Sequence, residues 1–152
     1  MTNKEKSSLQ PINQINLFGY DRYFNFFINL FENDKLPNQL LFSGEKGIGK
    51  ATFAYHLINY FFSKNEKFNY DIKNFLINKS NHSFSLINQS SHPNFYLIDL
   101  LNNKQAIDIN QIRKMINYTN KTSFNHNIKF ILIDNIDFLN ISSVNSLLKS
   151  IE

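Results

Sequence analysis

The chain has 152 residues, about one domain's worth, of which 42% are hydrophobic and 15% aromatic, carried by 16 Phe and 7 Tyr. That much apolar material supports one core and excludes a disordered chain, while the absence of Cys excludes a disulfide scaffold, a cysteine zinc site, an iron–sulfur cluster and a cysteine nucleophile. The net charge of +4 is compatible with nucleic acid yet too small to argue for it alone.

Residues 1–19 read as a loose N-terminal arm. Its polar, charged beginning is followed by no apolar core, so it is not a signal peptide. The longest uncharged apolar-rich stretch, Tyr23 to Phe31, is broken by Asn25 and Asn29 and falls far short of a membrane span. The expected location is the cytoplasm, with no membrane partner. From Tyr20 the apolar residues Tyr20, Tyr23, Phe24, Phe27, Ile28 and Phe31 form one helical stripe. Asn33, Asp34, Lys35 and Pro37 end it. Gln39-Leu40-Leu41-Phe42-Ser43 predicts a short buried strand. Three of the four glycines then fall within six residues, Gly44 to Gly49. A helix follows from Lys50, with Phe53, Ala54, Leu57, Ile58 and Phe61 on one side.

Residues 63–92 are rich in Ser, Asn and Lys and read as an irregular insertion, with a short helix around Asp71–Ile77. A second strand is expected over Phe95–Leu100. A helix over Asn110–Tyr118 should turn Ile109, Ile112, Met115 and Ile116 inward. A third strand runs Lys129–Asp134. The last helix starts near Ser142, a plausible cap, and should bury Val144, Leu147, Leu148 and Ile151. This strand–helix alternation predicts an α/β fold with a parallel sheet. The chain stops in mid-helix with an acid at the negative end of the dipole, which reads as a piece of a longer protein.

Gly44-Glu45-Lys46-Gly47-Ile48-Gly49-Lys50 sits between a predicted strand and a predicted helix, the context in which a glycine-rich turn becomes a phosphate cradle. Its N–H groups, with the helix N-terminus, would form an anion site, and Lys50 would reach the β- and γ-phosphates. The plainer alternative is a glycine turn at an ordinary strand–helix junction. A metal-binding loop needs Ser or Thr next, but the residue is Ala51, whose methyl cannot ligate Mg²⁺. Thr52 lies about 100° further round the helix and cannot simply replace it. It could still bond a phosphate oxygen. ATP is therefore the expected ligand, with Mg²⁺ placement weakened.

Ile131-Leu132-Ile133-Asp134 is an apolar run ending in a carboxylate, as in a Walker B strand whose Asp holds the metal's water shell. A hydrolytic site would place Glu next. Here Asn135 stands in that position, and an amide cannot accept the proton of an attacking water. The bland alternative is an Asp capping a strand. Ala51 and Asn135 together predict a nucleotide-sized site with no catalytic base and little or no ATP hydrolysis.

The residues then suggest a family. Leu17-Phe18-Gly19-Tyr20, the run from Leu36 to Gly44, Gly47-Ile48-Gly49-Lys50-Ala51-Thr52, His92-Pro93-Asn94, Ile107-Asp108-Ile109-Asn110-Gln111-Ile112-Arg113, Asp134-Asn135-Ile136-Asp137 and the run from Asn145 to Glu152 resemble the delta-prime subunits of the bacterial DNA polymerase III clamp loader. These are AAA+ relatives of the gamma/tau subunits. The resemblance covers roughly residues 10–152. It implies a P-loop AAA+ type three-layer sandwich, truncated before the fourth strand. Residues 20–152 would be a partial nucleotide-binding domain, with the lid and collar domains outside this chain. It further implies a stator-like, non-motor subunit that helps load the sliding clamp on primed DNA. The implied partners are gamma/tau, delta, the clamp and the DNA. Some relatives carry a four-Cys zinc module after the first helix; without Cys, zinc is excluded here. The missing fourth strand would leave the first and third strands separated or distorted.

Two alternatives from another class are an active ATPase of gamma/tau type and a P-loop nucleotide kinase. A kinase needs lid arginines, and this chain has only Arg22 and Arg113. Arg113, with Lys114 and Lys121, is the candidate DNA contact, set against a plain solvated helix face. His56 and His92 read as structural.

Overall fold

Helix α1 (Asp21–Glu32) forms because its apolar residues recur every three to four positions, and it ends where Asn33 bonds back to the carbonyls of Asn29 and Phe31. The computed structural model describes residues 9–102, 104–126 and 128–151, with the His126 side chain left aside. Residues 1–8 of the expected arm and the terminal Glu152 lie outside these. Further helices are α2 (Lys50–Ser63), α3 (His82–Asn88), α4 (Ile109–Thr119) and α5 (Ile141–Ile151). Strands β1 (Phe95–Ile98) and β2 (Phe130–Ile133) pair in parallel, Phe95 opposite Phe130 and Ile98 opposite Ile133. The architecture is α/β with a small parallel sheet, as the strand–helix alternation predicts. The chain divides into two compact units, Met1–Gln89 and Ser90–Glu152.

The first unit is built around Phe24, which is fully buried. Its ring stacks on Tyr70 with centroids 5.0 Å apart and meets Phe75, Tyr60 and Phe53 edge-on. Leu17, Ile28, Leu57 and Ile77 complete the cluster. Helix α2 is buried without a break from Phe53 to Tyr60, which is why His56 and Asn59 lie inside. Of the α1 stripe, Phe24 and Ile28 are buried but Tyr23 stays 61% exposed.

The described part of the arm is anchored. Leu17 N–H bonds to Phe75 O at 3.1 Å and Ile77 N–H to Ile15 O at 2.8 Å, so residues 15–17 run against 75–77. No helix spans Asp71–Ile77. Instead Asp71 and Leu76 exchange backbone hydrogen bonds, and the Asp71 carboxylate accepts from Lys73 N–H, Asn74 N–H and the Asn74 side chain. That local turn outcompetes a helix. The helix of this stretch is α3, where Asn81 caps Phe84 N–H at 2.6 Å. Glu66 accepts from the N–H groups of His82 and Ser83. A cap and a carboxylate at the dipole's positive end hold a helix of only seven residues.

The strand expected over Gln39–Ser43 is not a strand. Among the described residues it joins no sheet; Leu41 is 75% exposed, and Phe42 packs inward, against Phe27 and Phe53. An apolar run makes a strand only when another strand satisfies its backbone.

In the second unit Ile98, Ile107, Ile112 and Met115 form an aliphatic core with Ile131, Ile133 and Leu147 packed on it. Helix α4 opens with a reciprocal capping box, Asp108 to Gln111 N–H and the Gln111 side chain back to Asp108 N–H. Lys129 Nζ closes its far end by donating to Tyr118 O at 2.9 Å and to Lys121 O. Helix α5 departs from expectation twice. Its cap is Asn140, which accepts from Ser143 N–H at 2.9 Å, and not Ser142. Val144, Leu148 and Ile151 are 37–47% exposed, and only Leu147 reaches the core of the unit.

Candidate nucleotide-binding site

The loop from Gly44 to Gly49 leads straight into α2, with Gly49 as the residue before the first helical turn. Gly47 and Gly49 sit at φ +87° and +99°, conformations that a side chain would strain. By helix geometry the N–H groups of the first turn, Lys50 to Thr52, have no helical carbonyl to bond, and the helix dipole is positive there. Residues Gly44, Glu45, Lys46, Gly47 and Ile48 are exposed, while Gly49, Lys50, Ala51 and Thr52 are half-buried. An anion therefore has access to the loop.

Lys50 Nζ donates to the carbonyls of Gly44 and Glu45, both at 2.8 Å. Its charge is held against the loop by two neutral acceptors. A phosphate oxygen is a stronger partner for an ammonium than either carbonyl. Ala51, in the first turn, offers no oxygen to a metal. The nine residues fit a polyphosphate chain better than they fit its metal.

The second set of residues lies in the second unit, at the C-terminal ends of β1 and β2. Asp134 follows β2, and its N–H bonds to Ile98 O at 2.9 Å. Asn135 is left-handed at φ 55°, a region that Asn tolerates. Its N–H bonds the Asp134 carboxylate at 2.8 Å, and its side-chain N–H₂ donates to Asp99 Oδ1 at 2.7 Å. Asp99 Oδ1 also accepts from Leu100 N–H, at 2.6 Å. The amide at position 135 is thus tied to a carboxylate and offers neither charge nor base. Local sequence pattern does not single out Asp99. Its signal is the pair of twin runs Phe95-Tyr96-Leu97-Ile98-Asp99 and Phe130-Ile131-Leu132-Ile133-Asp134, which parallel pairing brings into register.

Gly44 to Thr52 fall in the first unit; Asp134, Asn135 and Arg113 fall in the second. Arg113 and Lys114 are exposed on α4. His56 is buried on α2, 2.9 Å from the Tyr70 hydroxyl, and its burial lowers its pKa to about 4. It is a core residue. His92 accepts from Asn94 N–H at 3.2 Å, in the turn that enters β1.

Comparison with known proteins bears on the whole arrangement. Over residues 19–152 the chain matches the family described as DNA polymerase III, delta subunit. It is also similar to the DNA polymerase III subunit gamma/tau of Mycoplasma genitalium, 44% identical over 45 residues. That match covers 30% of this chain and 8% of the relative. No described helix is long and apolar enough to cross a membrane. With 19–152 spanning most of its length, the chain belongs to the DNA polymerase III, delta subunit family, the clamp-loader family that its motifs resemble.

Proposed function

We propose that this chain is the nucleotide-fold part of a clamp-loader subunit of delta-prime type, a stator-like component that helps load the sliding clamp on primed DNA. It binds ATP through Gly44, Glu45, Lys46, Gly47, Ile48, Gly49, Lys50, Ala51 and Thr52, and it does not turn ATP over at a motor's rate. Asp134 is the residue associated with Mg²⁺, whose hold is weakened because Ala51 supplies no ligand. Gamma/tau and delta subunits are its partners in the cytoplasm, and Arg113 is its candidate contact to DNA backbone.

One observation carries the non-motor part of this reading: Asn135 spends its side chain on Asp99 at 2.7 Å, where a hydrolytic site needs a free carboxylate. The family match supports the replication role. The similarity to a gamma/tau subunit favours a second reading, an active ATPase of that type. Ala51 and Asn135 weigh against it, and nothing favours a nucleotide kinase.

Phosphate release by the assembled complex, with clamp, primed DNA and Mg²⁺, separates the two readings. Lys50→Ala in this subunit should leave the rate of the complex within about twofold, because no chemistry is lost. A drop of tenfold or more, with the complex still assembled, would establish the motor reading instead.

A further inference from the structure

The Tyr20 hydroxyl donates to the Ile48 carbonyl at 2.8 Å, across 28 residues of sequence. The same ring packs on Gly49, so that a Cβ built there would lie 3.6 Å from Tyr20 Cε2. On its other contacts the ring stacks with Phe53 of α2, centroids 4.9 Å apart, and tilts against Tyr23 at 6.3 Å. Phe53 is only 3% exposed, so this platform is fixed by the core. Backbone position 20 is fixed as well: Tyr20 O accepts from Phe24 N–H at 2.8 Å in the first turn of α1.

A trans peptide plane carries its C=O and N–H on opposite edges. The hydroxyl that holds Ile48 O therefore also sets the direction of Gly49 N–H, the first of the donors at the start of α2. Glycine cannot hold φ +99° by itself, because its torsional map is broad. Something outside the loop has to select that state, and Tyr20 is the side chain in contact with both halves of the Ile48–Gly49 unit.

We infer that Tyr20 is a positioning residue for the phosphate loop: its hydroxyl and ring hold the Ile48–Gly49 peptide in the polyphosphate-binding orientation before the ligand arrives. This rests on the reading of Gly44–Thr52 as a polyphosphate site. Pre-organisation of this kind raises affinity by removing an ordering cost. Because the contact is to the loop backbone, its effect does not depend on the base of the nucleotide.

The test uses the full-length protein with Tyr20→Phe, which keeps the ring on Phe53 and removes only the hydroxyl. Amide hydrogen exchange at residues 47–52 should speed up, with the melting temperature lowered by no more than about 4 °C. Affinity for ATP, ADP and inorganic tripolyphosphate should fall together, by about three- to tenfold, the range expected for one net hydrogen bond. If the wild type binds all three and Tyr20→Phe changes neither affinity nor exchange, the positioning role is wrong and the polyphosphate reading stands. A loss confined to ATP and ADP would also overturn it, since the ring would then be meeting the nucleoside. If the wild type binds no polyphosphate while exchange still speeds up, the hold on the loop stands and the polyphosphate reading fails.

Discussion

The two units carry their polar groups in different places. In the first, polar side chains run through an aromatic core: His56, Asn59, Ser63, Asn81 and Ser83 are buried, and Asn59 donates to Asn81 at 2.9 Å. Its glycine loop, proposed above as an anion site, is by contrast made of backbone. In the second, the core is aliphatic, the buried polar side chains among the described residues are Asn94 and Ser143, and the other polar contacts lie at the ends of elements: Asp99 with Asn135, Asp108 with Gln111, Lys129 at the end of α4. The difference bears on how a site of each kind tolerates substitution. A site made of N–H groups keeps its anion chemistry while side chains around it change, because every residue but proline carries the donor. A site made of one carboxylate is erased by one substitution, and in the non-motor reading proposed above Asn135 stands at such a position.

Acid should separate the units most strongly. His56 is held neutral by burial, its pKa falling from 6.5 to about 4. The unfolded chain takes up a proton below pH 6.5 that the folded chain refuses. Stability contributed by the neutral ring is therefore complete above 6.5, declines as pH falls and is spent near 4. The gap between the two values corresponds to about 3 kcal/mol. Urea unfolding at pH 7 and pH 4.5 should show that slope in the wild type and a shallower one in His56→Gln. Equal slopes would mean that His56 is not the group that makes the first unit sensitive to acid.

A smaller effect is expected at the edge of the sheet. Asn135→Glu restores the residue a hydrolytic site wants, yet it places a second carboxylate against Asp99 in place of a 2.7 Å hydrogen bond. It should cost about 1 kcal/mol in chemical denaturation and yield no ATPase. Robust phosphate release from this single variant would show that the second unit had lost only one group.

The smallest concerns Lys129, whose ammonium meets the carbonyls at the end of α4 and lies 4.8 Å from the Tyr118 ring centroid. Lys129→Met keeps the stem and removes the charge, and should lower stability by about 0.5–1 kcal/mol. A change in nucleotide affinity with it would contradict a purely local role.

Much of this was legible in the residues, and the failures have physical reasons. Phe24 and Ile28 announce α1 by spacing, and Gly47 and Gly49 announce the loop because few other residues adopt their φ. The four-residue apolar runs before Asp99 and Asp134 announce β1 and β2. The run at 39–43 looks the same, but hydrophobicity does not name a pairing strand, and among the described residues this run joins no sheet. Ser142 and Asn140 are both good caps, and only the hydrogen bond to Ser143 N–H chooses between them. Asp99 and the Tyr20 hydroxyl became visible through register and through a contact 28 residues away, neither of which local pattern encodes.

Calorimetric titration of ATP into the full-length protein, with and without Mg²⁺ and alongside Lys50→Ala, tests the central claim most directly. The account predicts binding that changes little when Mg²⁺ is removed and weakens about tenfold or more without the lysine, the worth of a charged hydrogen bond. Absence of binding, or binding that requires Mg²⁺ and ignores Lys50, would contradict it.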